Sequence, residues 1–270
     1  MLINNLEYFL RKPLLKLRNF WILFLLTLLA GSAVRAQADR SREEELSYLR
    51  VAVAPDLIPY AHIEIPAMEN IRIREGGEGR SLGLRTYHGQ KLKNNGIRAE
   101  VTVDYPTREG ETVTYSWRFL IDKDFPSDAP ENRWWLFGSW HDQPNRNRGE
   151  GWEGFPSHSP AIAIGYGFLN GVDQLALTYG SPDSTTVGLV PFTRGVWHQV
   201  TVRIGWSRGA KGRAELRLDD SPKAVVSASG PNMHNDFQHY LKVGMYRHRD
   251  IQGDNWIYLR DIAIKKTGVK

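Results

Sequence analysis

The sequence contains no cysteine among its 270 residues. This absence excludes a disulfide framework, a thiolate nucleophile, a thiolate metal ligand and a lipid-modified cysteine behind a leader peptide. Stability therefore has to come from a hydrophobic core. About 230 residues follow the N-terminal leader described below, which is enough to build one large domain.

The chain also lacks a strong charge excess once its N-terminus is set aside. The whole sequence has 35 Lys and Arg against 30 Asp and Glu, but residues 1–36 hold five of the basic residues and one of the acidic ones. The remainder has 30 basic and 29 acidic side chains. This balance argues against a general nucleic-acid-binding surface, although a local cationic groove is compatible with it.

Residues 1–38 have the pattern of a secretory signal peptide. A basic stretch around Arg11 leads into the apolar run 20–30 and then into small residues. A run of about a dozen apolar residues is short for a membrane span, which needs roughly 20, and an uncleaved anchor is the alternative. We expect a secreted or periplasmic protein with no membrane contact in its mature form, a linker and first strands over residues 39–80, and the main domain over residues 81–270.

Long segments with helical periodicity are missing, as are internal repeats and low-complexity tracts. Period-two alternation recurs instead, for example in residues 200–206 and 214–218, with turn residues between the runs. Many short strands without intervening helices predict an all-β fold, an antiparallel two-sheet jelly roll (a concanavalin-like sandwich) with a concave substrate groove. Trp117 and Trp206 occupy the apolar phase of their strands and are predicted to lie in the core.

The most informative strand spans residues 240–247. Alternation gives it one apolar face and one polar face, and the polar face carries Tyr240, Lys242, Gly244 and Tyr246. Gly244 lies between the cation and the phenol and leaves a gap over which a bulky ligand could settle. The pattern predicts a groove for an anionic chain, and a solvated sheet face is the alternative.

A second segment, residues 133–144, leads to a histidine. Interpreted as one regular strand, it has four side chains on a common face: Trp135, Phe137, Ser139 and His141. His141 emerges just before the long loop 142–159, a type of loop that often carries function. Trp152 in this loop could close over a bound sugar. A histidine bonded to its own loop is the alternative.

A third strand carries Arg98 and Glu100 on the face opposite its apolar residues. A carboxylate beside an arginine can hold the guanidinium group in place for an anionic ligand. An ordinary exposed ion pair has the same appearance, and both interpretations stay open.

Taken together, the three segments resemble the β-jelly-roll polysaccharide lyases, in particular the heparin lyase I and glucuronan lyase group. The resemblance covers about residues 80–265 and rests on the Tyr-Leu-Lys-Val-Gly-Met-Tyr-Arg strand, the Trp-His at a strand end and the Arg-Ala-Glu strand. It implies a lyase that cleaves a uronic-acid-containing polysaccharide by β-elimination, so an acidic polysaccharide is the expected partner. In this reaction the carboxylate is neutralised, a base removes the neighbouring hydrogen and an acid protonates the leaving oxygen.

The resemblance also implies a role for each matching residue. His141 is the expected base, and Tyr246 is the expected acid and with some substrates also the base. Arg98 and Lys242 are expected beside the carboxylates. The other candidate substrate-binding residues are Glu100, Ser139, Gln143, Arg247 and Trp152. The assignment requires the imidazole and the phenol to converge across one groove.

One position departs from the family pattern. Many members have a glutamine two residues before the histidine, and this chain has Ser139 there. A serine hydroxyl donates one hydrogen bond and reaches less far. Either Gln143 or Arg98 takes over the neutralisation of the carboxylate, or the activity is altered or lost.

Two other functions stay open at this point, a non-catalytic carbohydrate-binding module and a glycoside hydrolase. Hydrolysis needs two carboxylates flanking the bond, and no strand shows such a cluster. We expect no cofactor and assign no metal ligand; Asp250, Asp254 and Asn255 could hold a structural calcium, but turn formation explains them equally well. A monomer that binds no nucleic acid is expected.

Overall fold

The computed structural model describes residue 37 and residues 41–267 of the chain. The predicted secretory leader, residues 1–38, lies outside the described residues except for position 37. In the part of the chain that is described, no helix is long and apolar enough to cross a membrane.

The chain divides into two units, Met1–Leu46 and Ser47–Lys270. The described part of the first unit is helical, and so are residues 47–52 of the second. A polar linker was expected here. The second unit's helical segment forms because Leu49 and Ala52, three positions apart, share one helix face and are both buried.

The second unit contains fourteen strands among its described residues. They are β1 (Ala61–Glu64), β2 (Ile71–Arg74), β3 (Ser81–Tyr87), β4 (Ile97–Val103), β5 (Thr112–Ile121), β6 (Trp135–His141), β7 (Ile162–Leu169), β8 (Val172–Tyr179), β9 (Thr185–Phe192), β10 (His198–Gly205), β11 (Arg213–Leu218), β12 (Val226–Ser229), β13 (Tyr240–Arg247) and β14 (Asp254–Thr267). Short 3₁₀ helices span Pro55–Tyr60, Met68–Asn70 and Arg146–Arg148.

These strands form two seven-stranded sheets with antiparallel pairing. The front sheet has the order β1-β4-β13-β6-β7-β8-β9, and the back sheet has the order β12-β11-β10-β5-β14-β3-β2. The all-β, two-sheet architecture predicted from period-two alternation is confirmed.

Aromatic rings fill the space between the two sheets. Trp117 on β5 is fully buried, and its ring centroid lies 6.2 Å from that of Trp140 on β6. Trp206, which directly follows β10, is also buried and donates a hydrogen bond of 3.1 Å to the Tyr115 hydroxyl. Both tryptophans predicted for the core are therefore there. Truncating a ring of this size in a core typically costs about 3–5 kcal/mol.

Strand β13 lies in the middle of the front sheet, between β4 and β6. Its apolar face is confirmed, because Leu241, Val243 and Met245 are all completely buried. The opposite face, with Lys242 and Tyr246, points away from the core. This strand therefore carries polar groups onto the outer surface of the front sheet.

The regular alternation predicted for β6 is wrong. The pairing of β6 with β7 shifts register between Leu136 and Gly138. As a result Phe137 and Trp140 both enter the core, and a side chain at Gly138 would touch the Trp117 ring at 3.0 Å. The bulge turns the remaining positions of the strand over, so that Phe137 and His141 do not share a face.

The reason proposed for Gly244 is also wrong. Its φ is +149°, and a Cβ there would lie 2.3 Å from the carbonyl oxygen of Ala99 on β4. The glycine is needed because two strand backbones approach closely and because an L side chain rarely adopts this conformation. It does not open a gap for a ligand.

Candidate active site

A cleft of about 1080 Å³ lies on the outer face of the front sheet. Side chains from β1, β4, β6 and β13 line it, together with residues of loop 142–159. The charged and aromatic side chains that line it include Glu64, Arg98, His141, Tyr240, Lys242 and Tyr246.

Two cations and two carboxylates form the floor of this cleft. Glu64 on β1 lies directly opposite Glu100 on β4. The Lys242 ammonium donates to Glu64 Oε2 at 2.9 Å and lies 3.8 Å from Glu100 Oε2. The Arg98 guanidinium lies 3.4 Å from Glu100 Oε2 and 3.8 Å from Glu64 Oε2. The Arg98 and Glu100 pair is thus part of a buried network and not an exposed surface pair.

The two carboxylates of the floor differ in acidity. Burial opposes ionisation of Glu64, but hydrogen bonds from His62 and Lys242 and the charge of Lys242 outweigh it and hold the pKa of Glu64 well below its usual range. Burial raises the pKa of Glu100, and the charges of Lys242 and Arg98 only partly oppose this shift. Glu64 is therefore the carboxylate whose charge the floor favours, and Glu100 lies beside the same two cations in a place where burial disfavours its charge.

His141 ends β6 opposite Tyr240 of β13. The two rings are stacked, with centroids 5.8 Å apart. Burial, reinforced by the charges of Lys242 and Arg98, lowers the pKa of His141 to about 3. The imidazole is therefore unprotonated at neutral pH, and its Nε2 has no hydrogen-bond partner among the described residues.

Tyr246 stands at the other end of the cleft. It lies opposite Leu136 on β6, and Leu136 precedes His141 by five positions, which is roughly 17 Å of extended strand. The Arg98 guanidinium lies 4.0 Å from the centroid of the Tyr246 ring, and Trp134 packs edge-on at 4.7 Å. His141 and Tyr246 therefore line one cleft but come from different points along it, and their convergence on a substrate stays a prediction.

The other predicted binding residues occupy different depths. Glu100 and Ser139 are buried at 2% and 0% exposure, and the Ser139 hydroxyl has no hydrogen-bond partner within the described part of the chain. Gln143 lines the cleft, and its amide donates to Asp104 at 2.7 Å. Trp152 is 55% exposed at the rim.

Arg247 does not reach the cleft, and its assignment to substrate binding is wrong. It directly follows Tyr246, so alternation turns its side chain to the other face of β13, where it is 1% exposed. Its guanidinium donates to Asn255 Oδ1 at 2.5 Å and to the Gly253 carbonyl at 3.0 Å. Burial lowers the pKa of Arg247 to about 10. The residue ties β13 to the start of β14.

Two of the residues considered for calcium are engaged with guanidinium groups. Asp254 accepts two hydrogen bonds from Arg85, at 2.7 and 2.5 Å, and Asn255 accepts one from Arg247. Among the described residues, no group of three or more histidines and carboxylates is placed to hold a metal ion.

Loop 142–159 is fastened over one side of the cleft by a histidine pair. His158 Nδ1 lies 3.0 Å from Asp142 Oδ2, and the rings of His158 and His234 are stacked with centroids 4.6 Å apart. His234 Nε2 lies 2.9 Å from the Ser159 carbonyl oxygen. These contacts hold the end of the loop next to His141.

Sequence reasoning missed Glu64 and gave Tyr240 no role. Glu64 accepts hydrogen bonds from Thr102 and Asn94, both at 3.0 Å, in addition to Lys242. The alternation of Ala, His, Ile and Glu over residues 61–64 is a signal for a short amphipathic strand, but it does not reveal which strand pairs with it.

A family model described as polysaccharide lyase matches residues 68–263. The chain belongs to the polysaccharide lyase family. It is therefore an enzyme that cleaves a polysaccharide by elimination, and the cleft described above is the candidate active site of this lyase. Strand β1, with Glu64, precedes the matched segment.

Solved structures of polysaccharide lyases have the same fold. The endo-β-1,4-glucuronan lyase from the fungus Trichoderma reesei is 16% identical over 76% of this chain and 94% of its own, with a TM-score of 0.51. The family 7 alginate lyase A1-II′, solved with product, is 12% identical over 80% of this chain and 100% of its own, with a TM-score of 0.53. Alginate lyase Aly36B, solved with an alginate tetrasaccharide, is 14% identical over 76% and 86%, with a TM-score of 0.51. No curated protein matches the sequence. At these identities the likeness shows the β-jelly-roll fold.

Proposed function

We propose that this lyase cleaves a uronic-acid-containing polysaccharide, with the substrate carboxylate bound between Arg98 and Lys242. One observation carries the proposal: two nearly buried cations, Arg98 and Lys242, meet at the floor of an open cleft. A bound uronate would place its carboxylate beside these two cations. In a site shielded from water, such a pairing is stronger than in solution.

Neutralising the carboxylate prepares the sugar for elimination. The hydrogen on the carbon next to the carboxylate becomes more acidic, because the cations stabilise the enolate-like charge that develops when it leaves. A base takes this hydrogen, its electron pair forms a carbon-carbon double bond, the bond to the glycosidic oxygen breaks, and an acid protonates that oxygen. Each proton transfer typically contributes 10²–10⁴-fold when the group is well placed.

We assign the base to His141. Burial and the cations at Lys242 and Arg98 lower the pKa of its imidazole, so the ring is unprotonated at neutral pH and its Nε2 has no hydrogen-bond partner among the described residues. A bound carboxylate would offset the charge of these cations and so raise the basicity of His141 when substrate is present.

We assign the acid to Tyr246, whose ring lies under the Arg98 guanidinium. In this arrangement base and acid approach the sugar from opposite sides of the carboxylate-binding cations. Tyr240 is the competing donor, because it stacks on His141 and because burial, with the charges of Glu64 and Glu100, raises its pKa and keeps it protonated.

The test is to incubate the enzyme with glucuronan, alginate, heparin and related polymers and to follow the ultraviolet absorbance of the unsaturated product. His141→Ala and Tyr246→Phe are expected to lose at least about 100-fold in kcat/KM, and Tyr240→Phe to lose far less. A larger loss in Tyr240→Phe than in Tyr246→Phe would move the acid to Tyr240. Undiminished activity in both His141→Ala and Tyr246→Phe would remove the site assignment.

We also propose that the mature enzyme is secreted or periplasmic, since residues 1–38 have a basic stretch, an apolar run and small residues in the order of a signal peptide. N-terminal sequencing of the protein recovered from the producing cell's exterior or periplasm tests this: a first residue near position 37 or 39 is expected, and an intact N-terminus would contradict it. The monomeric state stays a prediction, to be checked by sedimentation.

A further inference from the structure

Glu64 is an unusual feature for a cleft that has to attract a polyanion. It comes from β1, at the edge of the front sheet and outside the segment that the family model matches. Its carboxylate nevertheless reaches the centre of the cleft floor and neutralises Lys242 at 2.9 Å. A negative charge at this point weakens the attraction for any anion, and the penalty grows with the number of negative charges that a substrate brings.

The charge of the cleft as a whole is close to balanced. The lining residues include three cations, Arg98, Arg146 and Lys242, and two carboxylates, Glu64 and Asp104. Glu100 lies beneath them, buried. A sugar with a single carboxylate finds enough positive charge here. A sugar that carries sulfate groups as well brings several negative charges into a space with no further cation among the described lining residues.

Glu64 is also held so that it cannot turn away from an incoming anion. Thr102, Asn94 and Lys242 fix its two oxygens with hydrogen bonds of 3.0, 3.0 and 2.9 Å, and the side chain is 10% exposed. A sulfate group that entered the cleft in addition to the uronate carboxylate would find Lys242 already occupied and would meet this fixed carboxylate at close range. Like charges held a few ångströms apart in a partly buried site repel by enough to change an affinity about tenfold or more.

We propose that Glu64 restricts this enzyme to uronic-acid chains whose only anionic groups are carboxylates and keeps sulfated chains out of the cleft. The inference rests on the proposed uronic-acid substrate and names its subclass. Glu64 acts as a specificity-determining residue, because it selects among chains by charge and takes no part in the proton transfers.

The experiment compares glucuronan and alginate, each before and after chemical sulfation, as substrates of the wild-type enzyme and of Glu64→Gln. The amide keeps acceptor capacity toward Thr102 but removes the charge. We expect the wild type to prefer the plain chain by at least about tenfold in kcat/KM, and Glu64→Gln to reduce that ratio by about tenfold. The ratio is the readout because the substitution also frees Lys242 and so changes absolute rates.

Asp220→Asn is the matched control. Asp220 is exposed in the segment between β11 and β12, and its substitution changes the net charge by the same amount, so it is expected to leave the ratio unchanged. If Glu64→Gln does not fold, Asp104→Asn removes the other carboxylate of the cleft and is expected to shift the ratio severalfold in the same direction. A wild type that cleaves both chains equally, or a ratio that the folded variant leaves unchanged, overturns the inference.

Failure of the proposed function would look different. If no uronic-acid polymer is cleaved by the wild type, the proposed substrate is wrong. Affinity electrophoresis with plain and sulfated alginate then still tests Glu64: a stronger retention of Glu64→Gln than of wild type on the sulfated polymer supports the charge filter, and equal retention overturns it.

Discussion

Replacing Lys242 with methionine is expected to destabilise the protein by about 3–5 kcal/mol. Lys242 is 3% exposed and is the cation closest to Glu64, with its ammonium also 3.8 Å from Glu100. Methionine fills a similar volume without a charge. The substitution therefore leaves an ionised carboxylate in a buried place with only the more distant Arg98 to balance it.

The magnitude follows from the distances. At 2.9 Å and an effective dielectric constant of about 20, the attraction between the ammonium and the carboxylate is roughly 6 kcal/mol. Desolvation of both groups offsets most of this attraction, which is why an intact buried pair adds little net stability. Breaking the pair from one side removes the attraction and keeps the desolvation cost of Glu64, and this asymmetry produces the large expected loss.

The double variant Glu64→Gln/Lys242→Met separates this explanation from a simple packing defect. With both charges gone, the unfolding free energy is expected to return to within about 1–2 kcal/mol of wild type. Chemical unfolding followed by tryptophan fluorescence at neutral pH measures all three proteins. A single variant within about 1 kcal/mol of wild type, or a double variant as unstable as the single one, would refute the reasoning.

The ion pairs of Glu64 also determine how the stability of the folded protein changes with pH. The pKa of Glu64 is lower in the folded protein than in the unfolded chain. Its stabilising contribution is therefore fully present above the ordinary carboxyl pKa and is lost as the pH falls through the lowered folded value. The difference in stability between wild type and Lys242→Met is expected to shrink under strongly acidic conditions.

Three further outcomes are expected. Gly244→Ala should lose about 3 kcal/mol or more, because the added Cβ would lie 2.3 Å from the Ala99 carbonyl at a φ of +149°; chemical unfolding measures it, and a loss below about 1 kcal/mol would contradict the close approach. Burial lowers the pKa of His239 to about 4, so near pH 5 the unfolded chain binds a proton at this imidazole and the folded protein does not. The unfolding free energy of wild type should therefore fall by about 2 kcal/mol more than that of His239→Gln between about pH 7.5 and about pH 5, and equal losses would contradict the lowered pKa. Arg247→Met should reduce the melting temperature while KM for a cleaved polymer stays unchanged, because the guanidinium binds Asn255 and not the cleft; an increased KM with unchanged stability would reverse this assignment.

The fold could be predicted from the sequence because neighbouring residues alone show which face of a strand is apolar and therefore buried. In β13 the apolar positions 241, 243 and 245 are the buried ones, and Trp117 and Trp206 lie in the core as their phases indicate. Period-two alternation predicts the wrong face for a side chain where a β-bulge interrupts the strand. At the start of β6, residues 135–137 and the preceding Trp134 are all apolar, so no polar residue marks the bulge that turns the strand over after Leu136.

The site was only partly accessible, because its contacts depend on sheet order. Glu64 and Lys242 are 178 positions apart in the chain, and their contact requires β1 to join the edge of the front sheet beside β4. No local pattern encodes that choice. The register of β6 against β13 is equally non-local, and it decides that His141 faces Tyr240 and not Tyr246.

Two glycines determine where the Tyr246 ring lies relative to the cations. Gly244 lets β13 approach β4 closely at a point where its pairing with β6 also shifts register, and this shift moves Tyr246 toward Leu136. Gly96 then leaves the space that the ring occupies, because a Cβ there would lie 2.4 Å from Tyr246 Cε2. The phenol is thereby held against Arg98, on the side of the cations opposite His141. A polymer that engages both ends of this cleft has to cross the Arg98 and Lys242 pair, which is where the proposed function puts the substrate carboxylate.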